Sequence, residues 1–222
     1  MKHTHYLLSL VAICLCCIGC NTQQTYRKTC LNLDGDFWSF YSADADAEMQ
    51  DTWSAEDGIL VCSGTPLGYL YSNKLFDNFV MKLEWRWPPD GKPGKGGVLI
   101  RMSGEHKIWP KSLEAQINAG DAGDFWGLDG YQLSGPPDRT NSMDHPQFGK
   151  LTNVKKTQPV EKPPGQWNTY QIIATADTVT LIINGTEVNM ATGCAEKKGN
   201  ILLTSEGTEI HFRNIEIVAL TK

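Results

Sequence analysis

The body of this 222-residue chain is poor in the features that most often betray chemistry. Beyond position 20 only Cys30, Cys62 and Cys194 remain, widely spaced and without a Cys-x-x-Cys pair, so no zinc site of familiar spacing is encoded. One disulfide among these three is compatible with an oxidising compartment. No Gly-x-Ser-x-Gly elbow and no phosphate-cradling loop are present. Basic runs are missing as well, and with a formal charge of -5 the chain has no electrostatic footprint for nucleic acid. No stretch after the first twenty residues holds a helical period for the roughly 10 to 12 residues that would decide for a helix over a strand.

What is present begins with an address. Lys2 precedes the apolar run "YLLSLVAICLCCIGC", which stops at Gly19 and Cys20. The run falls short of the roughly 20 apolar residues of a spanning helix. It resembles a bacterial lipoprotein signal, which implies cleavage before Cys20, acylation of that cysteine and a tether to a membrane surface by lipid. A plain secretory signal with an incidental cysteine is the alternative, and both place the domain outside the cytoplasm, at the cell envelope if lipidated. Residues 1–19 are therefore set aside as leader. Residues 20–30, polar and aperiodic, read as a tether, and 31–222 as one folded domain. Removing the leader takes one lysine with it and moves the formal charge from -5 to -6.

The domain is punctuated by glycine, proline and asparagine, and the segments between are rich in Val, Ile, Trp and Tyr. In "TVTLIINGTEVNM" two alternating runs flank Asn184-Gly185, the pair that accepts positive φ at both centres of a type I′ hairpin. Further strands are predicted at 58–62, 69–71, 79–87, 98–103, 113–118, 168–174, 201–204 and 209–220. Many short strands with one-sided alternation imply an all-β fold, two antiparallel sheets packed as a jelly-roll sandwich. Residues 119–165, containing "GPPDRTNSMDHPQFGK", read as a long, nearly strandless loop of the kind that walls a site.

Alternation in "GGVLIRMS" puts Val98, Ile100 and Met102 on one face and Leu99, Arg101 and Ser103 on the other. The neighbouring strand offers a polar row of Glu114, Gln116 and Asn118, so Arg101 and Glu114 are expected side by side. This is either an ordinary surface pair, worth about 0 to 1 kcal/mol, or part of a site. The connection "GEHKIWPK" brings His106, Lys107, Trp109 and Lys111 to the rim, and aromatic plus charged groups around a polar floor suit a sugar. Trp109 and Trp126 are the stacking candidates, whereas Trp38, Trp53, Trp85, Trp87 and Trp167 belong to the core or its edges. His106 and His145 are weighed as bases against plain surface residues.

Retaining glucanases on such sandwiches carry E-x-D-x-x-E on one strand; here only Glu114 of the row ionises. A second carboxylate would have to come from Asp121, Asp124 or another loop. "GDAGDFWG" holds two oxygen donors without the spacing of a calcium loop, and reads more readily as a turn that bonds its own backbone.

Taken in order, "GGVLIRM", "KIWPKSLEAQINAGDAGDFW", "PGQWNTYQIIATADTVTLIINGTEVN" and "GNILLTSEGTEIHFRNIEI" resemble the 3-keto-disaccharide hydrolase family over about residues 31–220. The resemblance implies a concanavalin A-like sandwich and a carbohydrate-active enzyme that cleaves 3-keto-glycosides. It also implies a route that explains the missing acid: a 3-ketone acidifies the C2 proton, one base removes it, and the C1 substituent is expelled before water adds. On the family pattern Glu114 is the base or positions it, Arg101 or Lys74 (in "YLYSNK") holds the oxyanion, and Gln116 orients hydroxyls. A divalent ion such as calcium is the alternative oxyanion holder. A non-catalytic carbohydrate-binding lipoprotein on the same fold is the competing function.

Overall fold

The structure, a computed structural model, describes residues 25–26 and 32–220. In chain order its strands are β1 (Thr25–Tyr26), β2 (Trp38–Ser42), β3 (Trp53–Glu56), β4 (Ile59–Cys62), β5 (Gly68–Ser72), β6 (Phe79–Arg86), β7 (Gly97–Met102) and β8 (Ser112–Gln116). They continue with β9 (Phe125–Leu128), β10 (Thr140–His145), β11 (Gly149–Val154), β12 (Asn168–Thr175), β13 (Thr178–Ile183), β14 (Thr186–Ala191), β15 (Asn200–Ser205) and β16 (Ile210–Ala219). A single helical turn spans Met49–Thr52.

Two antiparallel sheets result. The first runs β14-β13-β12-β6-β16-β4-β3, with β1 also on β16; the second runs β10-β11-β9-β8-β7-β15-β5-β2. Phe79, Met81, Trp85, Ile172 and Phe212 of the first sheet meet Val98, Ile100, Leu113, Ala115 and Phe125 of the second in one core. β6 alternates buried and accessible residues, as a strand with one wet face must. β7 and β8 instead are buried at every position. Their outer face is covered too, by a second apolar cluster containing Tyr69, Leu99, Met102, Leu128 and Leu202.

The two-sheet sandwich and the hairpin follow the sequence reading: Asn184 and Gly185 both take positive φ, 51° and 80°. Residues 119–165 do not. They contain β9, β10 and β11, and β10 escapes an alternation test because it is an accessible edge strand without a buried face. β2 and β3 were likewise outside the predicted strands. The tether is not wholly apart from the domain, since Thr25 and Tyr26 pair with Val218 and Ile217. The leader, Cys20 and Cys30 lie outside the described residues. Cys62 and Cys194 are buried free thiols, and burial pushes them up to about 11 and about 12, which makes them unreactive.

The largest departure is at Arg101. Met102 and Leu99 pair with Asn200 and Leu202, so two residues of β7 stand opposite one of β15, and Arg101 takes a φ of 54°. The extra residue of this bulge breaks the two-residue alternation and turns the guanidinium inward. There it is fully buried and donates to the carbonyls of Ala176 at 2.7 Å, Asp77 at 3.2 Å and Ala195 at 3.3 Å. Arg101 is a tie between loops and not a neighbour of Glu114. Arg101→Ala is expected to cost about 3 kcal/mol of unfolding free energy, because buried carbonyls lose charged donors; urea denaturation midpoints measure it.

Candidate functional site

The outer face of the second sheet carries one register row across six strands: Tyr71, Leu202, Leu99, Glu114, Trp126 and Asn153. Glu114 stands in its middle. To one side the face is apolar, roofed by the loop of residues 103–111. Trp109 packs on this cluster, His106 lies 4.3 Å from Tyr71 in a tilted arrangement and stacks on Tyr41 at 5.6 Å, with its Nδ1 3.0 Å from Tyr69 Oη, and Lys107 reaches Asp129 at 2.8 Å. Burial against the tyrosines holds the His106 imidazole below its ordinary value. His106, Trp109 and Trp126 thus reach the expected face, the first two as cover over its apolar half.

Glu114 itself is 8% exposed, and among the described residues its carboxyl makes no hydrogen bond. Loss of water, then the charges of Glu206 and Asp124, push it well above the usual carboxylate range. Space for it is kept by Gly97 on β7: a Cβ there would lie 2.7 Å from Glu114 Oε1. Gln116, also 8% exposed, leaves its side-chain amide unengaged among the described residues. The indole Nε1 of Trp126, directly across from Glu114, is buried without a partner. Neighbouring polar groups on one face without protein partners are groups that a bound ligand or water would satisfy.

Other expected residues serve other ends. Asn118 completes no polar floor, because its Oδ1 accepts the Gly96 N–H at 2.9 Å. Asp124 accepts the Lys156 N–H at 2.9 Å, and the Lys156 ammonium lies 3.8 Å from Asp124 and 3.6 Å from Asp121, so the Gly-Asp loop closes on a lysine. No three His, Cys, Asp or Glu side chains among the described residues form a group able to hold a metal ion. Lys74 is exposed in the β5–β6 connection, and β5 lies three strands from β8, about 14 Å at the usual spacing. Lys111 is half-buried just before β8. His145 stacks on Phe148 at 4.5 Å in the β10–β11 turn. Trp38, Trp53, Trp85 and Trp87 are core residues, while Trp167 sits on the first sheet under Arg86 and Arg213, 4.6 and 4.1 Å from its ring centre.

Glu206 was not among the expected residues. It follows Thr204 by two positions, and Thr204 follows Leu202 by two, so the parity in "LLTSEG" carries the signal. Thr204 Oγ1 accepts the Gly97 N–H at 2.7 Å and donates to Glu206 Oε1 at 2.7 Å. Burial raises Glu206 above the carboxylate range, against the opposing pull of the Thr204 hydrogen bond and the Lys95 charge.

The family described as 3-keto-alpha-glucoside-1,2-lyase-like domain matches residues 31–218. No curated protein matches the chain. Among solved structures, a Parabacteroides distasonis ATCC 8503 protein provisionally described as a glycosyl hydrolase is similar at 20% identity and TM-score 0.55, over 82% of this chain and 100% of its own. A β-glucanase of Bacillus licheniformis is similar at 10% identity and TM-score 0.58, over 90% of this chain and 98% of its own. The carbohydrate-binding module CBM66 of Bacillus subtilis is similar at 12% identity and TM-score 0.56, over 81% and 94%. At these identities the likenesses establish the fold, a concanavalin A-like jelly roll.

The native state binds the Glu114 proton more tightly than the unfolded chain, whose value is about 4.3. Its contribution to stability is therefore full below about pH 4.3 and is lost as pH rises through the folded value. Glu114→Gln is expected to gain stability relative to its parent as pH rises above about 4.3. Urea midpoints across that rise measure the difference, and a constant offset would contradict it.

Proposed function

The chain belongs to the 3-keto-alpha-glucoside-1,2-lyase-like domain family, and from that premise we propose that it cleaves 3-keto-glycosides by elimination across C1 and C2, with water adding afterwards. Its function is carbohydrate-related, in line with a family named for sugar cleavage. The observation that carries the finer reading is the Glu114 carboxyl, buried, unpartnered and central on the outer face of a carbohydrate-active type of sandwich.

A ketone at C3 acidifies the C2 proton, so its removal gives an enolate that expels the C1 substituent. Departure of an ordinary alkoxide needs a proton. Desolvation keeps one on Glu114, which suits donation to the leaving oxygen better than the base role the family pattern implies. Gln116 offers an amide to sugar hydroxyls beside it. Arg101 is committed to backbone carbonyls and leaves the enolate oxygen to other donors.

Methyl and 4-nitrophenyl 3-keto-glucosides, with their unoxidised parents, test this. Release is expected from the ketones alone. Glu114→Gln is expected to lower kcat/KM on the methyl compound about 10²- to 10⁴-fold. The loss on the nitrophenyl compound is smaller, because that group departs without a proton. Cleavage of the parents contradicts the proposal, and binding of the 3-keto sugar without release assigns a non-catalytic carbohydrate-binding role. Lipid attachment at Cys20 belongs to the same proposal: Cys20→Ser is expected to move the protein from the membrane to the soluble fraction on cell fractionation.

A further inference from the structure

An acid on the leaving oxygen leaves the C2 proton without an acceptor. We infer that Glu206 is that acceptor, the base of a pair whose other member is Glu114. The assignment rests on the elimination reading above.

Three observations place Glu206 for the task. Gly97 lies between the two acids: its N–H donates to Thr204 Oγ1 at 2.7 Å, and a Cβ on it would lie 2.7 Å from Glu114 Oε1. Thr204 in turn donates to Glu206 Oε1 at 2.7 Å, which fixes one oxygen and leaves Oε2 for substrate. Glu114 is more than nine-tenths buried and without a hydrogen-bond partner among the described residues, which sets it apart from the carboxylates of an acidic surface patch. Each acid disfavours charge on the other, which favours a single proton shared between the two. The exposed Lys95 and the Thr204 hydroxyl favour charge on Glu206, which leaves the proton on Glu114.

The step balances. Glu206 takes the proton as the C2–H bond breaks, and the electron pair enters the C2–C3 enolate. The enolate collapses to a C1–C2 double bond as the C1–O bond breaks. Its electrons stay on the leaving oxygen, which takes the proton of Glu114. The pair ends with its proton on Glu206 and a charge on Glu114. Addition of water to C1 runs the same transfers backwards: Glu114 takes a proton from the water and Glu206 returns one to C2. Net hydrolysis resets both groups, and no co-reactant besides water is needed.

The test follows hydrogen at C2 by proton NMR in deuterated buffer, with methyl and 4-nitrophenyl 3-keto-glucosides and the full chain. The parent is expected to place deuterium at C2 faster than buffer alone. Glu206→Gln is expected to lose that exchange and to cleave both substrates about 10²- to 10⁴-fold more slowly. Thr204→Val, which leaves Glu206 but frees its Oε1, is expected to lower kcat several-fold with little change in KM. Unfolding midpoints of both variants show that the loss is chemical. Exchange and cleavage that survive in folded Glu206→Gln overturn the assignment alone. A parent that neither exchanges nor cleaves overturns the elimination reading, and the base with it.

Discussion

A carboxyl taken out of water at the centre of a sheet is the constraint around which this face is arranged. Most antiparallel sandwiches leave one side of each sheet wet. Here the second sheet is covered on both sides, by the common core within and by the aromatic cluster under the 103–111 loop without. Glu114 lies at the margin of that cover, where burial removes most of its water while a small part of the residue stays exposed. Desolvation and the neighbouring acids act together to keep its proton on, and the chemistry assigned to it depends on that proton.

Backbone economy makes room for this arrangement. Gly97 contributes an absent side chain and a present N–H: the first leaves space for Glu114, the second holds Thr204 and through it Glu206. One residue thus spaces and couples two acids that lie far apart in sequence. The bulge in β7 does the reverse for Arg101, removing a cation from the face where it would have paired with Glu114 and drawn its proton away. Turned inward, the same guanidinium gathers three loop carbonyls, so a structural tie and an uncharged acid arise from one inserted residue.

The apolar half of the face has its own logic. His106 lies over Tyr71, Trp109 packs beside it, and the Lys107–Asp129 pair fastens the loop across the sheet. Residues that read as a sugar-stacking rim therefore cover the apolar half of the face, and the polar part around Glu114 and Gln116 lies beside that cover. The cost of an exposed ion pair is small, and its contribution to stability is of order 0 to 1 kcal/mol. The stacking beneath it anchors the loop more firmly.

Local pattern was enough for the fold: alternation, the Asn184-Gly185 turn and the spacing of strands all reflect forces between near neighbours, and the order of motifs carried the family. Pattern also placed Glu114 and Gln116 on one face, because β8 is regular. It failed wherever regularity ended. β10 shows no alternation because no core lies against it, and Arg101 changes face because a single extra residue shifts the phase. Glu206 belongs to the site only because β15 pairs with β7 and brings Thr204 against Gly97. The sequence by itself determined which segments become strands and which sides they bury; which charges meet was decided by bulges and by pairing between distant strands, since electrostatics acts through distance in space and desolvation through everything packed around a group.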